Sequence, residues 1–139
     1  MTDMTAEQRG PTTGLSPYIC VGGEGAAAAI DLYKKAFAAE ELGRMPSQNG
    51  ERVMHCALKI NGDMLMLSDG FPDHGYPAEK PAAFTLHLQV DDADAWFDRA
   101  LAAGCEAVKP VEVQFWGDRY GQLRDPFGFM WSIGSTPKG

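Results

Sequence analysis

A chain of 139 residues with 19 acidic against 12 basic side chains, and a formal net charge of -7, offers no cationic cluster with which to displace counterions from nucleic acid. Its longest apolar run is a few residues, far short of the ~20 that span a bilayer, and its N-terminus lacks the basic-plus-apolar pattern of a secretion signal. Cys20, Cys56 and Cys105 are widely spaced with no C-x-x-C pair, so neither a disulfide framework nor a thiolate zinc site is indicated; a cytoplasmic protein without nucleic-acid or membrane partners is expected.

Residues 1–14 are polar, contain Gly10, Pro11 and Gly14, and show neither helical nor strand periodicity, which predicts a disordered tail. A strand over 16–21 leads through a glycine-rich loop, GGEG, into a helix over 25–40 whose apolar residues recur at helical spacing. A short strand ends at Pro46, a turn follows, and strands over 51–60 and 63–69 are joined by Asn61-Gly62, a dipeptide suited to a type I′ hairpin turn. Proline- and glycine-rich residues 71–83 form a linker. A strand over 84–90 then runs into Asp91, Asp92 and Asp94, which suit the N-cap and first turn of a second helix that Gly104 ends. Strands over 106–114, 119–125 and 129–135 complete the chain, the last two joined by a turn at Asp125-Pro126-Phe127-Gly128.

The series occurs twice. Ala29, Leu32, Tyr33, Ala36, Phe37 and Ala38 match Ala93, Trp96, Phe97, Ala100, Leu101 and Ala102 at one offset, which implies one βαβββ module used at 15–70 and again at 84–135. Neither copy buries enough surface to be stable alone, so residues 15–139 are expected to form a single α+β domain with an eight-stranded, cleft-bearing mixed sheet.

Alternation places the candidate residues. Leu86, Leu88 and Val90 suit the helix-facing side of their strand, leaving Thr85, His87 and Gln89 on the other; aligning Val21 with Val90 puts Ser16, Tyr18 and Cys20 on the matching side of module one. That side is expected to line the cleft, with His87 as a general acid/base titrating near neutrality. His55 is a second catalytic candidate with two placements. A two-residue turn at Asn61-Gly62 sets it on the opposite face from Leu67, and a three-residue loop sets it beside Leu67 and Asp69. In FWGDRYG, Trp116 and Tyr120 would wall a flat ligand while Arg119 grips a carboxylate or phosphate; the alternative pairs Arg119 with Asp118 or Asp125. The strand MLMLSD is apolar on both faces, so its far side is expected to be covered by the other module or by a second subunit.

The doubled βαβββ unit with D-P-x-G before the last strand resembles the vicinal oxygen chelate superfamily of glyoxalase I, extradiol dioxygenases and bleomycin-resistance proteins. Within it, PYICV, IDLYKKAFAAEEL, RVMHCALKINGDMLMLSD, FWGDRYGQLRDPFG and MWSIGS resemble the PhnB-like group, also labelled demethylubiquinone methyltransferase-like. Metal-dependent members of the superfamily draw His or Glu ligands from the first and last strands of each module. Counted from the strand ends and turns, the resemblance assigns those positions to Ser16, Leu67, Thr85 and Ser132, none an imidazole or carboxylate, so no metal is expected there. A non-standard divalent site built from His55, His87 and Asp69 is the one alternative. Where the group usually has D-P-F-G-H-x-W, this chain has Phe129, which implies a more apolar pocket rim.

Two functions follow from the resemblance: an enzyme, of lyase, isomerase or other type, acting on a small oxygenated molecule, or a metal-free protein that sequesters one. A blander reading is an interaction module without a ligand. Pairing into a homodimer is expected, since related folds bury an open sheet edge that way.

Overall fold

A computed structural model describes residues 4–138; residues 1–3 of the expected tail lie outside the described residues. The elements in order are α1 (Ala6–Arg9), β1 (Tyr18–Val21), α2 (Ala26–Phe37), β2 (Glu40–Pro46), β3 (Val53–Ile60), β4 (Asp63–Asp69), a 3-10 turn at Pro72–His74, β5 (Leu86–Gln89), α3 (Ala93–Ala103), β6 (Glu106–Val113), β7 (Arg119–Arg124) and β8 (Met130–Ser135). The chain divides into two compact units. One runs to Lys34 and resumes over Ala38–Glu79, and the other takes Lys35–Phe37 and everything from Lys80.

The two modules repeat one topology. The described strands form two four-stranded sheets, ordered β1-β4-β3-β2 and β5-β8-β7-β6, and in each the first strand runs parallel to the last while the other pairs are antiparallel. In each module the helix joins the first strand to the second, two strands that run in the same direction at opposite edges of the sheet, a connection no tight turn can make. The fold is therefore α+β, with two βαβββ modules.

In module one the helix side of the sheet carries Ile19, Val21, Cys56, Leu58, Leu65 and Leu67, all buried, and α2 brings Ala26, Ala29, Ile30 and Tyr33 to the same core. Burial pushes the Cys56 thiol up to about 12, an inert small hydrophobe. The turn at Asn61-Gly62 has φ of 51° and 89°, and the register pairs Ile60 with Asp63, so the loop has two residues as the dipeptide dictates. The N-terminus of α2 has no side-chain cap of its own. Asp69 at the end of β4 supplies one: its carboxylate accepts from the amide of Ala26 at 2.9 Å and from that of Val53 at 2.7 Å.

Module two builds its core from Leu88, Val90, Phe97, Ala100, Leu123, Trp131 and Ile133. Asp92 caps α3 by accepting from the Ala95 amide at 3.1 Å, and Gly104 ends the helix at φ 120°. Asp125 is buried, and it ties the turn together by accepting from the amides of Phe127 and Phe129 and from the Trp131 indole at 2.9 Å. Phe129, expected at a pocket rim, is instead 2 % exposed, with its ring 6.2 Å from that of Phe84.

The segment before β1 also differs from expectation over its described residues. Thr5 and Gln8 form a reciprocal capping box, Thr5 Oγ1 accepting from the Gln8 amide at 3.2 Å and Gln8 Oε1 from the Thr5 amide at 2.8 Å. That local signal, T-x-x-Q, is legible in the sequence but too short to show periodicity. The turn it starts lies on the side of module one's sheet away from α2. There Gly43 has no room for a side chain, because a methyl would fall on the Gln8 carbonyl oxygen and the Met4 side chain. A methyl on Gly10 would approach the Met66 sulfur to 2.9 Å. Met66 belongs to the doubly apolar strand, so the cover its far face needs comes from this chain's own N-terminal segment.

Candidate functional site

The polar side of module one is built by alternation. Parallel pairing sets Tyr18 beside Met66 and Cys20 beside Ser68, and the Cys56–Leu67 pair puts His55, one residue earlier, on the side of Ser68. The two-residue turn has thus resolved the two placements: His55 lies opposite Leu67 and with Tyr18.

Residues after β4 fold back to wall this side. Gly70 packs so closely on Ala78 that a methyl would reach the Ala78 amide nitrogen at 2.7 Å. The Arg52 guanidinium lies 4.3 Å from the centre of the Phe71 ring and makes bonds of 2.9 and 3.1 Å to the Asp73 carboxylate, which it holds down to about 2. The result is a cavity of about 1000 Å³ lined by Tyr18, Cys20, Met54, Ser68, Phe71 and Tyr76, among others. Aromatic and thioether walls with a few hydroxyls suit a small, partly apolar, oxygenated molecule. The cleft side expected from Tyr18 and Cys20 lines this cavity, whereas residues 71–83, expected as a linker, supply an unexpected wall; the aromatics Phe71 and Tyr76 within them, joined by a β-bridge, are the available sign.

One hydrogen-bonded series reaches the cavity from below. His55 Nε2 contacts the Arg9 carbonyl, and His55 Nδ1 lies 2.9 Å from the Tyr18 hydroxyl. A carbonyl oxygen only accepts, so Nε2 carries the proton, Nδ1 is the acceptor, and Tyr18 O–H donates to it. Burial raises the Tyr18 phenol above its ordinary value, outweighing a hydrogen bond with Ser68 that acts the other way. Tyr18 therefore remains protonated at neutral pH.

Module two has a comparable arrangement on its own polar side. His87 Nε2 donates to Gln89 Oε1 at 2.8 Å, Gln89 Nε2 donates to Thr136 Oγ1 at 2.8 Å, and the Ser132 hydroxyl donates to His87 Nδ1 at 2.7 Å. Tyr120 stacks on the imidazole at 5.8 Å between ring centres, and Trp116 meets Tyr120 edge-on at 5.5 Å. His87, Tyr120, Trp116 and Ser132 are thus brought together on one side of the sheet. Arg119 is not among them. It shares a sheet side with Gly121 and Leu123, facing the helix, and forms a two-pronged ion pair with Asp94 at 2.8 and 2.9 Å, rather than with Asp118 or Asp125. Thr85 is exposed and Ser16 half-buried, each just before the first strand of its module.

Leu67 requires correction. Strand pairing makes Met66, beside Tyr18, the counterpart of Ser132, beside His87; counting from the turns had slipped by one residue. Leu67 is fully buried on the helix side and is not among the residues that line the cavity. In a strand a slip of one reverses the face.

A family model described as the Glyoxalase/Bleomycin resistance protein/Dioxygenase superfamily matches residues 17–133. The chain belongs to this superfamily. An uncharacterized protein of Mycobacterium bovis is 48% identical over 126 residues, covering 86% of this chain and 81% of that one. The X-ray structure of an Arabidopsis thaliana gene product superposes with a TM-score of 0.70 at 27% identity, covering 88% of this chain and 98% of that one. A PhnB protein of Bacillus cereus shares the fold with a TM-score of 0.69 at 16% identity, covering 89% of this chain and 100% of that one.

This superfamily member does not provide donors for a metal at the four positions the resemblance marks. Ser16 and Thr85 are neutral hydroxyls, Ser132 is committed to His87, and Met66 in place of Leu67 adds a thioether packed under Gly10. Such a set does not repay the dehydration of a divalent ion. The carboxylate of Asp69 is likewise spent on two backbone amides. Among the described residues no three His, Cys, Asp or Glu side chains converge as a metal site, and no helix is long and apolar enough to cross a membrane.

Proposed function

We propose that this superfamily member is a PhnB-like protein that binds a small oxygenated organic molecule in the module-one cavity without a metal at the family's usual positions. The observation carrying this reading is the cavity itself: about 1000 Å³ of space beside Tyr18, Cys20 and Ser68, with Met54, Phe71 and Tyr76 as apolar walls. Its volume is that of a site for a metabolite-sized ligand. Sequestration needs nothing beyond this cavity, whereas catalysis needs a group that moves a proton, and Tyr18 with His55 is the pair placed to do so. The protein is further proposed to be a homodimer. Edge strand β6 is exposed along nearly its whole length and leads to Val113 and Phe115, which are 65% and 98% exposed.

Native mass spectrometry of freshly purified protein, followed by thermal-shift screening of phenols, enols and hydroxy ketones, tests the reading. Ser68→Trp, which puts an indole into the cavity, is expected to abolish both the adduct and the ligand-induced rise in melting temperature while the far-ultraviolet spectrum stays unchanged. Full retention of binding by Ser68→Trp would place the ligand elsewhere. The same spectrum reads the oligomeric state, with the mass of two chains expected.

A further inference from the structure

We propose that Tyr18 and His55 form a proton-accepting pair for a neutral ligand with an acidic hydroxyl, a phenol or an enol, and that the Arg9 carbonyl holds the imidazole in the accepting tautomer. The inference rests on the cavity reading above and names the class of molecule the cavity takes.

Because Arg9 offers a carbonyl to Nε2, His55 has a free lone pair at Nδ1, and Tyr18 directs its only proton there. With its proton on His55 and one lone pair taken by the Ser68 hydroxyl, the phenol oxygen offers the cavity it lines only its remaining lone pair, so it selects a ligand that donates. A ligand presenting only acceptors, an ether or a carboxylate, meets oxygen with oxygen. The ionisable groups acting on the phenol are the thiols of Cys20, on its own strand, and of Cys56, on the helix side of β3; Asp69, Glu79, Arg52 and His74 also line the cavity, and the last two sit against the Asp73 carboxylate, at 2.9 and 3.5 Å. A neutral acid that becomes an anion only after transfer is the species that fits.

The transfer balances. The ligand O–H bond breaks and its proton joins Tyr18 Oη as the Tyr18 O–H bond breaks and that proton joins Nδ1 of His55. The products are a ligand oxyanion, a neutral Tyr18 and an imidazolium whose Nε2–H still donates to the Arg9 carbonyl. Net charge is unchanged and no electron changes hands. The oxyanion so formed, a phenolate or enolate, is the nucleophilic form of such molecules.

Arg9 acts through its backbone, so the strap must be displaced as a whole. Gly43→Val does this, since the added carbons fall on Gln8 and Met4 and on no cavity residue. The probe is 4-nitrophenol, whose phenolate is read by its visible absorbance while equilibrium dialysis reads binding separately. Bound to the native protein it is expected to ionise about one pH unit or more below its free value. Tyr18→Phe and His55→Gln are expected to bind the probe and return its titration to the free value, and Gly43→Val to return it part of the way. The nitrogen-15 shifts of His55 provide a second readout, with the Nε2–H tautomer in the native protein and a mixture in Gly43→Val. Binding without a shifted titration, or a shift that survives in Tyr18→Phe and His55→Gln alike, overturns the pair and leaves the cavity reading standing. Absence of binding by the native protein, or equal binding by native and Ser68→Trp, overturns both.

Discussion

Asp125→Ala is expected to destabilise the protein by about 3–5 kcal/mol, because it leaves three donors without an acceptor inside module two. The amides of Phe127 and Phe129 share one carboxylate oxygen, at 2.9 and 3.1 Å, and the Trp131 indole N–H holds the other at 2.9 Å, with Asp125 only 3% exposed. Trp131 is itself part of the packing, its ring 4.3 Å from that of Phe37, so a released indole disturbs apolar contacts as well as one hydrogen bond. For a chain of this size the loss corresponds to a fall in melting temperature of roughly 10 °C or more. Asp125→Asn distinguishes the parts: one oxygen still serves the two amides, but an NH₂ group faces the indole N–H, and a smaller loss of about 1–3 kcal/mol is expected. Thermal or urea unfolding of the two variants reads the order. A fall of only a degree or two in the alanine variant would mean that the turn is held by something other than this carboxylate.

Asp69→Ala is expected to cost about 2–4 kcal/mol and to weaken ligand binding at least about tenfold, a combination Asp125→Ala should not show. Asp69 joins three elements of module one: from the end of β4 it satisfies the first amide of α2 and pins the first residue of β3. Its carboxylate lies in the field of the helix N-terminus, which has no local cap, so the charge and the hydrogen bond are lost together. It also lines the cavity, and β3 begins beside Arg52 and Met54, two further cavity residues. Loosening this corner therefore reaches the ligand as well as the core. Chemical denaturation and dialysis with 4-nitrophenol on the same sample measure both effects. A destabilised variant with native affinity would detach the cavity from this corner of the fold.

The repeated architecture was legible because its signals were local and doubled: two helices matched at one offset, and Asn61-Gly62 declared its turn. The polar faces follow from alternation, which sets Tyr18 and His87 at matching registers of the two modules and leaves His55 to be decided by the turn length. Counting from a turn failed at Leu67, since an error of one residue exchanges core for surface, and only the pairing of Tyr18 with Met66 corrects it. Arg119 departs from both expectations for a similar reason. Its neighbours in sequence are aromatics of the polar face, but it points the other way, to an aspartate 25 residues earlier on α3. The contributions of Arg9 and of the residues around Phe71 and Tyr76 had no periodic pattern to reveal them. Both are backbone-directed features, a carbonyl aimed at an imidazole and a chain folded back over a sheet, and side-chain spacing does not encode them.

The measurement that bears most directly on this account is a two-dimensional NMR titration of the native protein with 4-nitrophenol, following amide and aromatic resonances of both modules. The account predicts saturable shifts at Tyr18, Cys20, Ser68 and Tyr76, with His55 changing from a neutral to a protonated imidazole as the probe ionises. Shifts confined to His87, Tyr120 and Ser132, with module one silent, would contradict it and move the site to module two.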